Sequence, residues 1–199
     1  MANRASIKVV LRKLLCLLLC CLSLNGWAQS TLLDQNPFSL KFYKISMKAA
    51  PLDLYFPAGF DSVAQVTAHE LEASWAKTGS GFPSNTRRFP ILLQNQGLVS
   101  NGFVSLFAPR AEFLTTPSQD AALLGTNDWL PLLVSHELRH VHQNNAAQQG
   151  LARWVHGAFG AYGQAVYSNL LIPNWLWEGD AVETESHLNA MGRSQIPQF

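Results

Sequence analysis

The stretch SHELRHVHQ, residues 135–143, decides how the rest of the chain is read. His136 and His140 stand four apart, and Glu137 follows the first histidine directly. On an α-helix, residues four apart differ by about 40° around the axis and one turn along it, so both imidazoles can face a single ion. Glu137 lies about 100° from His136, beside such an ion rather than on it. There a carboxylate can act as general base towards a metal-bound water. HExxH on a helix is a strong metal-site signal. The bland alternative is an exposed polar stripe with solvated histidines. Against it, Leu132, Leu133, Val134, Leu138 and Val141 surround the motif with apolar positions. That pattern predicts a buried helix, whose imidazoles and carboxylate then need partners. His142, about 200° round the helix from His140, is read as a non-ligand. The pair His69-Glu70 has Ala73 four residues after its histidine and is read as surface.

Two histidines do not close a catalytic zinc site, which ordinarily has three protein ligands and a water. A histidine six residues after His140 is lacking, since that position is Ala146, and Gln143 stands where that pattern needs glycine. The other source is a later helix. NWLWEGDAVETESH, residues 174–187, offers Glu178, Glu183 and Glu185. With Glu178 at zero, Ala181, Val182 and Glu185 fall at about 300°, 40° and 340°, whereas Asp180, Glu183 and His187 fall at about 200°, 140° and 180°. The small Ala181 and the neighbouring Gly179 let this side approach another helix closely enough for a short carboxylate to reach an ion. Glu178 is therefore the expected third ligand. Glu185, two turns on, is either an outer acceptor for a ligand imidazole N–H or a salt bridge at the rim. Asp180, Glu183 and His187 read as a solvated face.

Residues 1–28 read as a secretory signal peptide. Arg4, Lys8, Arg12 and Lys13 form a basic head, residues 14–24 are apolar, and Gly26 and Ala28 suit cleavage after Ala28. The apolar run is only about half of the roughly 20 residues that a spanning helix needs, and no later segment is long and apolar enough. Cys16, Cys20 and Cys21 all lie in that run, so the mature chain is expected to have no disulfide and to rely on a core, helped by any bound metal. Residues 29–199 suffice for one domain with a sizeable core. Without the four basic residues of the head, the mature chain keeps 13 acidic residues and a slightly negative balance. With no basic cluster and no internal repeat, nucleic acid is excluded as a partner.

Residues 38–47 and 52–56 read as strands, and Asp61 as the cap of a helix with Ala64, Thr67, Leu71 and Trp75 on one side. Residues 91–93, 98–107 and 110–114 read as an antiparallel meander, and 115–125 as a loop. Helix resumes near Asn127, with Pro131 in its first turn, and stops by Gly150. Residues 151–171 are a mixed stretch loosened by Gly157, Gly160 and Gly163, and another helix covers 174–189. Strands first and helices after predict an α+β fold.

HELRH followed by WLWEGDA resembles the glutamate-zincin metallopeptidases, the group containing thermolysin-like and aminopeptidase-N-like enzymes. In the latter, the third ligand is the glutamate of an E-G-x-A segment after a bulky apolar lead-in, which Trp175, Leu176, Trp177 and Glu178-Gly179-Asp180-Ala181 match. The resemblance implies His136, His140 and Glu178 as zinc ligands and Glu137 as general base. The interval from the second histidine to the glutamate is longer here, the insertion being the Gly-rich stretch around residue 160. More narrowly, most of the mature sequence, including PRAEF at 109–113, looks like the N-terminal region of bacterial envelope proteins in which such a domain precedes a Tol-type β-propeller. Those proteins are much longer, so this chain resembles a fragment or a C-terminally truncated version.

The resemblance implies a zincin-like domain over residues 29–199, an antiparallel-edged sheet followed by the HExxH helix and a glutamate-bearing helix. Residues 105–114 are the candidate edge for strand addition by a peptide, with an interior strand as the alternative. The implied activity is that of an exported zinc metallopeptidase hydrolysing peptide bonds through a zinc-bound water activated by Glu137, with Tyr162, Tyr167 or His156 as oxyanion donor. Its expected partner is a peptide or protein substrate, with no stable membrane span, in the periplasm, the outer envelope or outside the cell. The alternative is a non-catalytic cell-envelope interaction module with a protein partner. Structural zinc sites favour four protein ligands and cysteine, so a mature chain without cysteine favours an open site.

Overall fold

Period-two alternation builds the centre of the molecule. The computed structural model describes residues 41–83, 87–95, 99–105, 108–116, 128–147, 149–189 and 193. The expected signal peptide and most of the loop at 115–125 lie outside the described residues. Strand β1 (Phe42–Ser46) is largely exposed. Strand β2 (Leu52–Pro57) turns Leu52, Leu54 and Phe56 inward. Helix α1 (Asp61–Thr78) then crosses to strand β3 (Phe89–Gln94), which buries Phe89, Ile91 and Leu93. A crossover of that length lets two strands run parallel, and β2 and β3 do so with Leu52 opposite Phe89 and Leu54 opposite Ile91. Asp61 is not the cap of α1. Phe60 holds that position, and Asp61 sits in the first turn, where its carboxylate complements the positive end of the helix.

The sheet has five strands in the order β1-β2-β3-β5-β4, counting β4 (Ser100–Ser105) and β5 (Arg110–Thr115). β1 pairs with β2 and β4 with β5 antiparallel, while β2–β3 and β3–β5 are parallel. The sheet is thus mixed, and the expected antiparallel meander is corrected. The chain leaves β3, builds the outermost strand β4, and returns as β5 between the two. Register keeps the apolar residues on one face, with Ile91 opposite Ala111 and Leu93 opposite Phe113.

Helix α2 (Trp129–Ala146) covers that face. The side chain of Asp128 accepts a hydrogen bond from the backbone N–H of Leu130 and caps it, with Pro131 in the first turn. Leu133, Val134, Leu138 and Val141 of α2 join Leu71 of α1 and the inward strand residues in one core. Each fully buried side chain of this size contributes about 2 kcal/mol. Helix α3 (Leu151–Leu171) follows and is interrupted at Gly160, whose φ of 66° lies in the left-handed region. Helix α4 (Asn174–Leu188) starts after Pro173 and packs on α2. Among the described residues the architecture is therefore α+β, a five-stranded mixed sheet with four helices. No helix among the described residues is long and apolar enough to cross a membrane.

Candidate metal centre

The helical repeat of α2 aims two imidazoles at one point. His136 Nε2 and His140 Nε2 are 3.2 Å apart. Glu178, in the second turn of α4, brings Oε2 to 3.4 Å from the first and 3.6 Å from the second. Bonds of 2.0–2.2 Å to a tetrahedral ion place neighbouring ligand atoms about 3.3–3.6 Å apart, so the triangle has the size such an ion requires. His136, His140 and Glu178 form a group that can hold a metal ion, with two nitrogen donors and one oxygen.

The outer nitrogens of both rings are engaged. His136 Nδ1 lies 2.9 Å from Glu185 Oε2, and His140 Nδ1 lies 2.7 Å from Gln143 Oε1. At His140, the acceptor at Nδ1 holds the proton there and leaves the Nε2 lone pair facing the shared point. Glu185 is itself fixed by Arg193, whose Nε and Nη2 donate to its two oxygens at 2.5 and 2.7 Å. Nη2 of Arg193 also lies 2.7 Å from His136 Nδ1, so the guanidinium touches both the carboxylate and the ring. Burial works to raise the Glu185 pKa, but hydrogen bonds from Arg193 and His136 outweigh it and hold the carboxyl below its usual range. Hydrogen bonding to His140 likewise holds Glu178 below the ordinary glutamate value.

Glu137 differs from these carboxylates. It is 4% exposed, and its Oε2 is buried with no hydrogen-bond partner among the described residues. Burial pushes its pKa up against the pull of His136 and His140. It lines a cleft of about 400 Å³ together with His136, His140, Glu178 and Trp177. The other wall is β4, from Asn101 to Val104, the outermost strand of the sheet. The expected edge at residues 105–114 is corrected accordingly. Most of that segment is β5, interior between β3 and β4, and the edge that faces the cleft lies just before it.

α4 is fastened to α2 by groups that the helical wheel placed elsewhere. Arg139 Nε and Nη2 donate to the two oxygens of Asp180 at 2.7 Å each, and Nη1 of the same guanidinium donates to Thr78 O and Ser80 O. Gln143 Nε2 donates to Asp180 Oδ2 and to Trp177 O. Asp180 is therefore not on a solvated face. Arginine is long enough to reach round the helix, so an angle of half a turn does not separate the two. Glu183 and His187 are exposed and pair with each other at 2.8 Å. Ala181 and Glu185 are buried on the side of α4 that meets α2.

The remaining expectations divide. His142 points away from the cluster, with Nε2 donating to Trp75 O and its ring packed on Trp75 at 4.0 Å. Burial pushes its pKa down to about 4. His69 is exposed. Tyr162, Tyr167 and His156 do not line the cleft. The residues unforeseen from sequence are Arg139, Asp180, Gln143, Arg193 and Gly102. For Gln143 a signal exists, since it stands three residues after His140 on the same helix. No family model, curated protein or solved structure matches the chain.

Proposed function

We propose that the chain is an exported zinc-dependent peptidase of the glutamate-zincin type. The observation that carries this reading is the triangle of His136, His140 and Glu178 with Glu137 lining the same cleft. The donor chemistry fits zinc, because two imidazoles and one carboxylate leave a fourth position open. When bound, zinc supplies Lewis acidity that acidifies a water and polarises a carbonyl oxygen.

The chain's own residues do the rest. The Glu137 carboxylate takes a proton from the water that attacks the carbonyl carbon, then returns it to the departing amine nitrogen. Gln143 and Glu185 hold the two imidazoles in orientation, with Nε2 of each turned to the shared point. The outer edge of β4, beside Glu137, offers backbone groups to an extended peptide. Replacing Glu137 by Gln keeps the shape and removes the base. Cleavage of a peptide library by the wild type is expected to fall by about 10²–10⁴ in the variant, with zinc content unchanged. Equal cleavage by both proteins would show that the base is misassigned.

A non-catalytic envelope module is the second reading. It is favoured by the exposed apolar residues of α3 and of the start of α4, among them Trp154, Phe159, Leu170 and Trp175. Zinc-loaded wild type that cleaves none of the library would support it.

A further inference from the structure

A second cavity, of about 310 Å³, adjoins the metal-centre cleft through Asn144, which lines both. β4 also runs from one to the other, with Asn101 to Val104 on the first cavity and Ser105 on the second. The lining of the second cavity contains basic and amide groups. Asn145 Nδ2, His156 Nδ1 and Gln164 Nε2 are buried and have no hydrogen-bond partner among the described residues. Gln164 is only 2% exposed. Amide nitrogens are donors only, and buried donors are ordinarily satisfied. No aspartate or glutamate lines the cavity among the described residues, whereas two arginines do. Arg88 is committed to Asp53 and to the carbonyls of Leu52 and Met47. Arg87 is exposed and has no ion pair among the described residues.

Among the described residues, an exposed guanidinium without an ion pair and two amide donors without partners, with no acid beside them, fit an anion that accepts several hydrogen bonds. We propose that this cavity binds a carboxylate of the peptide laid along β4, so that the site selects substrates with a negative charge at a fixed distance from the scissile bond. The inference rests on the peptidase reading for the identity of the ligand, not for the existence of the subsite.

The test is calorimetric binding of synthetic peptides to the zinc-loaded Glu137→Gln protein. One set has a free C-terminal carboxylate and no acidic side chain. A second is C-terminally amidated with a single Glu moved along the sequence, and a third is amidated with Gln in place of Glu. A carboxylate at one position is expected to tighten binding about tenfold over the neutral set. Whichever acidic set shows the gain names the source, chain terminus or side chain. Arg87→Ala and, separately, Gln164→Leu are expected to erase the gain without weakening the neutral peptides. Gln164→Leu also removes a buried unpaired donor, so its thermal midpoint should not fall below that of the parent. Equal affinity for all three sets, or a gain that survives both substitutions, would overturn the proposal. A gain that depends on Arg87 while wild type cleaves none of these peptides would refute the peptidase reading and leave the subsite standing.

Discussion

Gly102 shows how tightly Glu137, the proposed base, is seated. A Cβ built on this residue of β4 would meet Leu133 Cδ1 at 2.5 Å and Glu137 Cγ and Oε1 at 2.8 Å. Gly102→Ala must therefore push Glu137 or the strand aside. A misplacement of about 1 Å at a catalytic group costs up to about 10²-fold in rate. The variant is expected to lose between tenfold and a hundredfold in kcat while retaining its zinc, as measured by peptide cleavage and metal analysis. Unchanged kcat would mean that Glu137 has room to move. Much of the centre at this scale is legible in the sequence. Four-residue spacing brings His136 and His140 together, and the small Ala181 marks the side of α4 that carries Glu178 towards them. Asp180 is not legible, because a wheel angle takes no account of a long guanidinium such as that of Arg139. Neither is Arg193, whose approach depends on the path of the chain after α4.

Two ties at the level of elements hold the site in shape. The fork from Arg139 to Asp180 joins α2 to α4 and, through Thr78 and Ser80, to the end of α1. Asp180→Asn keeps the shape but removes the charge from a half-buried pair. It is expected to destabilise the fold by about 2 kcal/mol in urea unfolding. Because α4 carries Glu178, the same variant is expected to bind zinc about tenfold more weakly in a chelator competition. A loss of stability with zinc affinity intact would separate the tie from the site. The second tie joins α1 to the connection between β1 and β2. Glu72 accepts the backbone N–H groups of Lys48 and Ala49 at 2.8 and 3.0 Å, and these bonds hold its pKa below the ordinary value. The folded carboxylate therefore titrates below its unfolded counterpart. Its contribution is whole above about pH 4.5 and disappears as the pH falls through the folded value. Wild type is expected to be more stable than Glu72→Gln at pH 6, with the gap narrowing in urea midpoints as the pH is taken below about 4.5. The strands are legible as elements from their alternation, but their order is not. Turn residues between β3, β4 and β5 suggest neighbours in sequence order, whereas the pairing of β3 with β5 depends on which strand the core selects.

At the scale of the whole molecule, the fold is a device for bringing one face of α2 against one side of α4 beneath an edge strand. The sheet supplies an apolar floor, α2 lies on it with its histidines turned to the cleft, and α4 closes over them with Glu178 half exposed. α+β class follows from the order of the strands and helices along the chain. The mixed sheet does not, since the α1 crossover fixes one parallel pair and the return of β5 the other. The direct measurement is the metal content of the purified protein by elemental analysis, for wild type and for His140→Ala. The account requires about one zinc per chain in the wild type and a marked loss in the variant, because a site of this kind uses three protein ligands. Wild type without zinc after reconstitution, or a variant that retains it in full, would contradict the account.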